Sequence, residues 1–178
     1  MPKYTESIHT LALVGHGGAG KTTLAEALLH KSGAIAAPGS VEKGTTVCDF
    51  DPMEKEYGHS LGSSLVNFAW EDMRIHLIDT PGMPDFAGQS IAALAAVETA
   101  VVVINAQNGI ELNTTRMMKW AKNRGLCRMI VVNKIDADNV DLPGLLRKLQ
   151  DHFGKECLPI NLPAHDRADV VDCFFNPD

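Results

Sequence analysis

Short apolar runs rich in branched residues alternate along this chain with longer stretches whose apolar positions recur at helical spacing. Residues 8–14 (IHTLALV) end at glycine and predict a buried strand. Residues 22–30 (TTLAEALLH) put leucine and alanine on one helical face, with Gly33 beyond them as a stop. Residues 65–70 and 74–78 read as two strands joined through Glu71-Asp72, hence an antiparallel hairpin. The alanine-rich residues 88–99 predict a helix, and residues 100–106 (AVVVINA) a buried strand. Residues 114–124 carry Met117, Met118 and Ala121 on one face of a further helix, a pattern that fits a core better than a special binding stripe. Residues 129–132 form a strand and 142–153 a helix, with Pro143 in its first turn and Gly154 after its end. Residues 157–160 are a further candidate strand.

Strands alternating with helices predict an α/β fold, with helices on both faces of a mostly parallel sheet and one antiparallel edge strand. Ligands of such sheets bind beyond the C-terminal ends of the strands. Each chemical motif of this chain falls at such an end.

Composition narrows the picture only a little. The 178 residues fit one domain with a substantial core. A formal charge of −6 argues against whole-surface affinity for nucleic acid. The apolar run 91–104 is broken by Glu98 and Thr99 and falls short of a membrane span. The opening MPKYTESIHT has no apolar signal core, so secretion is not expected. Cys48, Cys127, Cys157 and Cys173 are scattered without a Cys-x-x-Cys pair, which predicts reduced, packed thiols.

The chemistry concentrates in three places. GHGGAGKTT, Gly15 to Thr23, follows the first strand and matches G-x-x-x-x-G-K-[ST]. Its glycines let successive N–H groups converge on phosphate oxygens, and the helix that opens at Thr22 adds its positive end. Gly15, His16, Gly17, Gly18, Ala19, Gly20, Lys21, Thr22 and Thr23 are therefore the expected phosphate cradle. Lys21 would neutralise the outer phosphates, and the Thr22 hydroxyl would ligate Mg²⁺.

Asp79-Thr80-Pro81-Gly82 closes a strand beside this cradle. Asp79 can hold Mg²⁺, and the Gly82 N–H can reach a terminal phosphate, which makes the turn a sensor of that phosphate. Asn133-Lys134-Ile135-Asp136 closes another strand. The Asp136 carboxylate can accept hydrogen bonds from N1–H and N2–H₂ of guanine, which adenine lacks. Asn133 would tie this loop to the cradle, and the Lys134 stem would cover the base. An ATP-using small-molecule kinase fits the cradle but leaves NKID unexplained.

Together the cradle, DTPG and NKID identify a GTPase, and the flanking sequence narrows it. GHGGAGKTTLAEALLHKSG, DFDPMEKEYGHSLGSSL, DTPGMPDF and VVNKID resemble the P-loop GTP-binding domain of elongation factor G, in particular its divergent bacterial "elongation factor G-like" paralogues. The resemblance covers essentially the whole chain. It implies GTP and GDP as ligands, Mg²⁺, a cytoplasmic monomer, and a ribosome contacted through the full-length protein. Neither a membrane nor sequence-specific nucleic-acid binding by this segment is implied. Residues 1–156 would be the GTP-binding domain and 157–178 the start of an inserted subdomain. A Ser-Ala guanine loop, which the family carries after that insertion, does not follow Asp136, so a truncated chain is expected.

Three departures from the family pattern matter. Gly18 stands where the family's phosphate loop usually has aspartate. Ser60, within Tyr57-Gly58-His59-Ser60, keeps a hydroxyl for Mg²⁺ at the place of a threonine. Met83 follows DTPG where the family has the histidine that positions the attacking water. A thioether is a weak acceptor and no donor, so Mg²⁺-dependent hydrolysis is expected to be slow. Such a loss costs about 10²–10⁴ in rate. Lys21 and Gly82 would remain the catalytic contacts, with His59 and His16 as candidate substitutes for the missing histidine. The alternative is a non-hydrolysing GTP-binding regulator or ribosome-associated module.

Overall fold

The computed structural model describes residues 7–164 and 169–174. The expected start of an inserted subdomain lies partly outside these residues. Five strands form the central sheet: β1 (Ile8–Gly15), β2 (Ser64–Trp70), β3 (Met73–Asp79), β4 (Thr99–Asn105) and β5 (Cys127–Asn133). Their spatial order is β2-β3-β1-β4-β5. All neighbours are parallel except the edge pair β2 and β3, the expected hairpin.

β4 and the second half of β1, at the centre of the sheet, bury both faces, as their apolar runs require, whereas β2 and β5 at the edges stay partly exposed. On one face Ala12, Val14, Ala100, Val102 and Ile104 pack against α3 (Ala87–Ala93), α4 (Leu112–Asn123) and α5 (Leu142–Phe153). On the other, Leu13, Leu77, Val101 and Val103 meet Ala25 and Leu29 of α1 (Lys21–Lys31). Among the described residues no helix is long and apolar enough to cross a membrane.

Three expectations change. Of the four thiols expected to be packed, only Cys48 is buried, and Cys127 and Cys173 are exposed. The helix expected over residues 88–99 closes at Ala93, because Leu94 and Val97 turn into the core. Glu98 then docks on the start of β1, where its side chain accepts from the Thr10 N–H at 2.8 Å. Residues 157–160 are not a strand. The pairing lies just beyond them, between β6 (Asn161–Ala164) and β7 (Asp169–Asp172), a two-stranded sheet of its own.

The segment 34–63, where no element was expected, is ordered by two buried carboxylates. Glu26 of α1, 1% exposed, accepts from the N–H groups of Gly39 at 2.7 Å and Val47 at 2.6 Å. Glu54 lies in α2 (Pro52–Tyr57), where it completes a capping box with Asp51. Its other oxygen accepts from Leu61 at 2.9 Å and Gly62 at 3.1 Å, just after Ser60. Glu26→Ala leaves two N–H groups without a charged acceptor. Urea unfolding is expected to show a loss of about 3 kcal/mol; a change within about 0.5 kcal/mol would show that the segment does not depend on this carboxylate.

Candidate functional site

The three loops converge at the C-terminal end of the sheet. β1 delivers Gly15, packed so closely on the Val103 carbonyl of β4 that a Cβ would overlap it. Gly20 stands at the N-cap of α1 with φ +92°, offers no side-chain cap, and faces the Asn133 side chain. The first N–H groups of α1 are thus left for an anion. Lys21 is buried and its Nζ donates to the His16 carbonyl at 2.9 Å. Burial lowers its pKa, opposed by the charges of Asp79, Asp49 and Glu111. Gly18 is exposed, with open space where a side chain would stand, and Thr23 is also exposed.

The turn after β3 is held at three consecutive residues. The Thr80 hydroxyl donates to the Leu13 carbonyl at 2.7 Å, and Ser90 of α3 donates to the Pro81 carbonyl at 2.9 Å. The Asn113 side-chain amide of α4 donates to the Gly82 carbonyl at 2.9 Å. Gly82 itself is pressed on the phosphate loop: a Cβ there would overlap Lys21 Nζ, Gly17 N and the His16 carbonyl carbon. Met83 is 37% exposed, and its sulfur lies 3.1 Å from where a Cβ on Gly17 would be.

Beside this contact runs a chain of oxygen donors. Thr22 donates to Asp79 Oδ2 at 2.6 Å and lies 3.3 Å from the Ser60 hydroxyl, which donates to Asp49 at 2.6 Å. Asp79 is 2% exposed, and its Oδ1 meets no donor among the described residues. Burial pushes its pKa up to about 6, while the Thr22 hydrogen bond and the Lys21 charge act the other way. A buried, half-satisfied carboxylate beside two hydroxyls fits a hard divalent cation.

At the third loop, Asn133 donates to the Ala19 carbonyl at 3.0 Å, joining it to the cradle. Lys134 has φ +57°, and both Lys134 and Asp136 are exposed. The two candidate histidines differ in setting. His16 faces Glu111 at 3.2 Å, whereas His59 sits between Tyr57 and Phe86, with ring centroids 6.0 and 6.5 Å away. Asp49, Glu54 and Asn113 were not singled out in the sequence. Of these only Glu54 carried a readable signal, its capping-box spacing from Asp51 across Pro52.

The sequence profile described as "Elongation factor Tu GTP binding domain" matches residues 6–171. The chain belongs to this family. The GTP-binding domain is 38% identical over 159 residues to an elongation factor G-like protein of Mycobacterium tuberculosis (strain H37Rv), covering 89% of this chain and 22% of that protein. It is 35% identical over 159 residues to a mitochondrial ribosome-releasing factor 2 of Culex quinquefasciatus, covering 89% and 21%. A crystal structure from Thermus thermophilus superposes with a TM-score of 0.89 at 39% identity, covering 94% of this chain and 26% of that one. The chain therefore spans about a quarter or less of the relatives it matches. The domain is a GTPase domain of the elongation factor G type, with guanine nucleotide as its ligand.

Proposed function

We propose that this domain is a GTP/GDP-binding switch in which recognition of the terminal phosphate is intact and its hydrolysis is slow. The observation that carries this reading is the packing of Gly82 and Met83 on the phosphate loop. Gly82 brings a backbone donor to Lys21, where a terminal phosphate would be sensed. Met83 brings only a thioether to the neighbouring position, where it cannot orient a water molecule. The cradle Gly15 to Thr23 holds the phosphates, Lys21 neutralises them, and Asn133, Lys134 and Asp136 select guanine. Thr22, Ser60 and Asp79 hold Mg²⁺, which when bound would offset phosphate charge. His59, beside Phe86, and His16, whose backbone packs on Gly82, are the candidate substitutes for a histidine at position 83.

The full-length protein is proposed to act on the ribosome, as the names of its relatives support, with residues 157–178 proposed as the start of an inserted subdomain. Phosphate release from GTP, with and without ribosomes, tests the reading. Slow release in both conditions, alongside saturable GTP binding, is expected. Turnover as fast as that of an ordinary elongation factor would refute it.

The Asp79 carboxyl gives a pH signature. Its pKa is raised from 3.8 to about 6 on folding, so its contribution to stability is complete below pH 3.8 and is lost as pH rises through 6. Mg²⁺ requires the ionised form and competes with that proton. The rise in Tm produced by Mg²⁺ with GDP is therefore expected to be larger at pH 7.5 than at pH 5. Equal shifts at both values would remove Asp79 from the metal site.

A further inference from the structure

Asn113 belongs to none of the three loops, yet it is 1% exposed on the inner face of α4, beside buried Thr114, Met117, Met118 and Ala121. A polar side chain there costs stability unless its bonds are made, and here only Nδ2 is met, Oδ1 finding no donor among the described residues. Its Nδ2 faces two carbonyls: Gly82 in the sensor turn at 2.9 Å and Gly15 at the mouth of the phosphate loop at 3.5 Å. Two residues earlier, Glu111 meets His16 of the same loop at 3.2 Å. The first turn of α4 thus grips both sides of the junction.

We propose that Asn113 is a positioning residue for recognition of the terminal phosphate. A glycine can flip either flanking peptide at little cost, so the aim of the Gly82 N–H needs external fixing. Peptides are planar and trans, so an N–H points away from the carbonyl of its own peptide. Ser90, holding the Pro81 carbonyl, fixes the plane that carries the Gly82 N–H. Asn113 fixes the next plane and sets its spacing from Gly15. With both planes held, the sensor donor stays directed at the phosphate loop. The effect falls on GTP, whose last phosphate Gly82 meets, and spares GDP. This inference rests on the reading of Gly82 as the terminal-phosphate sensor.

Affinities of fluorescent GDP and a non-hydrolysable GTP analogue, measured on the 178-residue chain and on Asn113→Leu, test it. Leucine keeps the branching and heavy-atom count of the side chain and removes the donor. The variant is expected to bind the GTP analogue about tenfold more weakly while GDP stays within about twofold. Parallel losses for both nucleotides, the result of a merely structural role, would overturn the proposal, as would no change. An unaltered chain that binds neither nucleotide would overturn the underlying reading and this inference with it. The unaltered protein offers a second test that needs no variant. The ¹⁵N-resolved side-chain amide signals of Asn113 are expected to shift between the GDP and GTP-analogue complexes, and coincident signals would overturn the proposal.

Discussion

Gly82→Ala is expected to weaken binding of a GTP analogue by about 30–100-fold while changing GDP affinity by less than about threefold. The methyl group has nowhere to go. It would overlap Lys21 Nζ and press on backbone atoms of His16 and Gly17. The two backbone neighbours cannot swing aside as a surface side chain would, because Lys21 itself bonds to the His16 carbonyl. The turn must therefore lift, against the anchors at Thr80, Pro81 and the Gly82 carbonyl. Lifting it withdraws the one N–H proposed to meet the terminal phosphate. A hydrogen bond to a charged group is worth about 1.5–3 kcal/mol, hence the size of the effect. GDP, which ends one phosphate earlier, loses no contact. Titration with both nucleotides separates the outcomes, and equal losses would mean that Gly82 supports the cradle without sensing its contents.

Met83→His is expected to raise single-turnover GTP hydrolysis by about 10²–10⁴. Met83 is 37% exposed at the rim of the phosphate loop, so an imidazole can replace the thioether without disturbing the core. Its sulfur already lies over Gly17 of the phosphate loop. An imidazole supplies both a donor and an acceptor there, whereas the thioether supplies no donor. Rapid-quench measurement of phosphate release reads the change directly. An unchanged rate would show that more than one component is missing, with the exposed Gly18 as the next position to examine.

Much of this architecture is legible in the sequence because its two strongest signals are local. Buried parallel strands read as continuous branched runs, and β1 and β4 do so clearly, while β5 carries the same signal at a partly exposed edge. The three loops carry chemistry that few other patterns require, so their residues can be named before any coordinates. The rest depends on contacts distant in sequence. Glu26 has the ordinary look of a solvated helical residue, yet it is 1% exposed and serves a loop 13 to 21 residues away. Asn113 reads as a polar helix-start residue, and only the fold brings it to Gly82, 31 residues earlier. The alanine-rich stretch after Gly88 misleads for the opposite reason. Its helical propensity is real, but Glu98 docking on Thr10 and the burial of Leu94 and Val97 override it.

Selective guanine-nucleotide binding at the phosphate loop is the claim on which everything else depends. Calorimetric titration of the 178-residue chain with GTP, GDP and ATP in the presence of Mg²⁺ tests it most directly. GTP and GDP are predicted to bind at one site each, with ATP weaker by about 10² or more, because Asp136 has no donor to meet on adenine. ATP binding as tightly as GTP, or no binding of either guanine nucleotide, would contradict it.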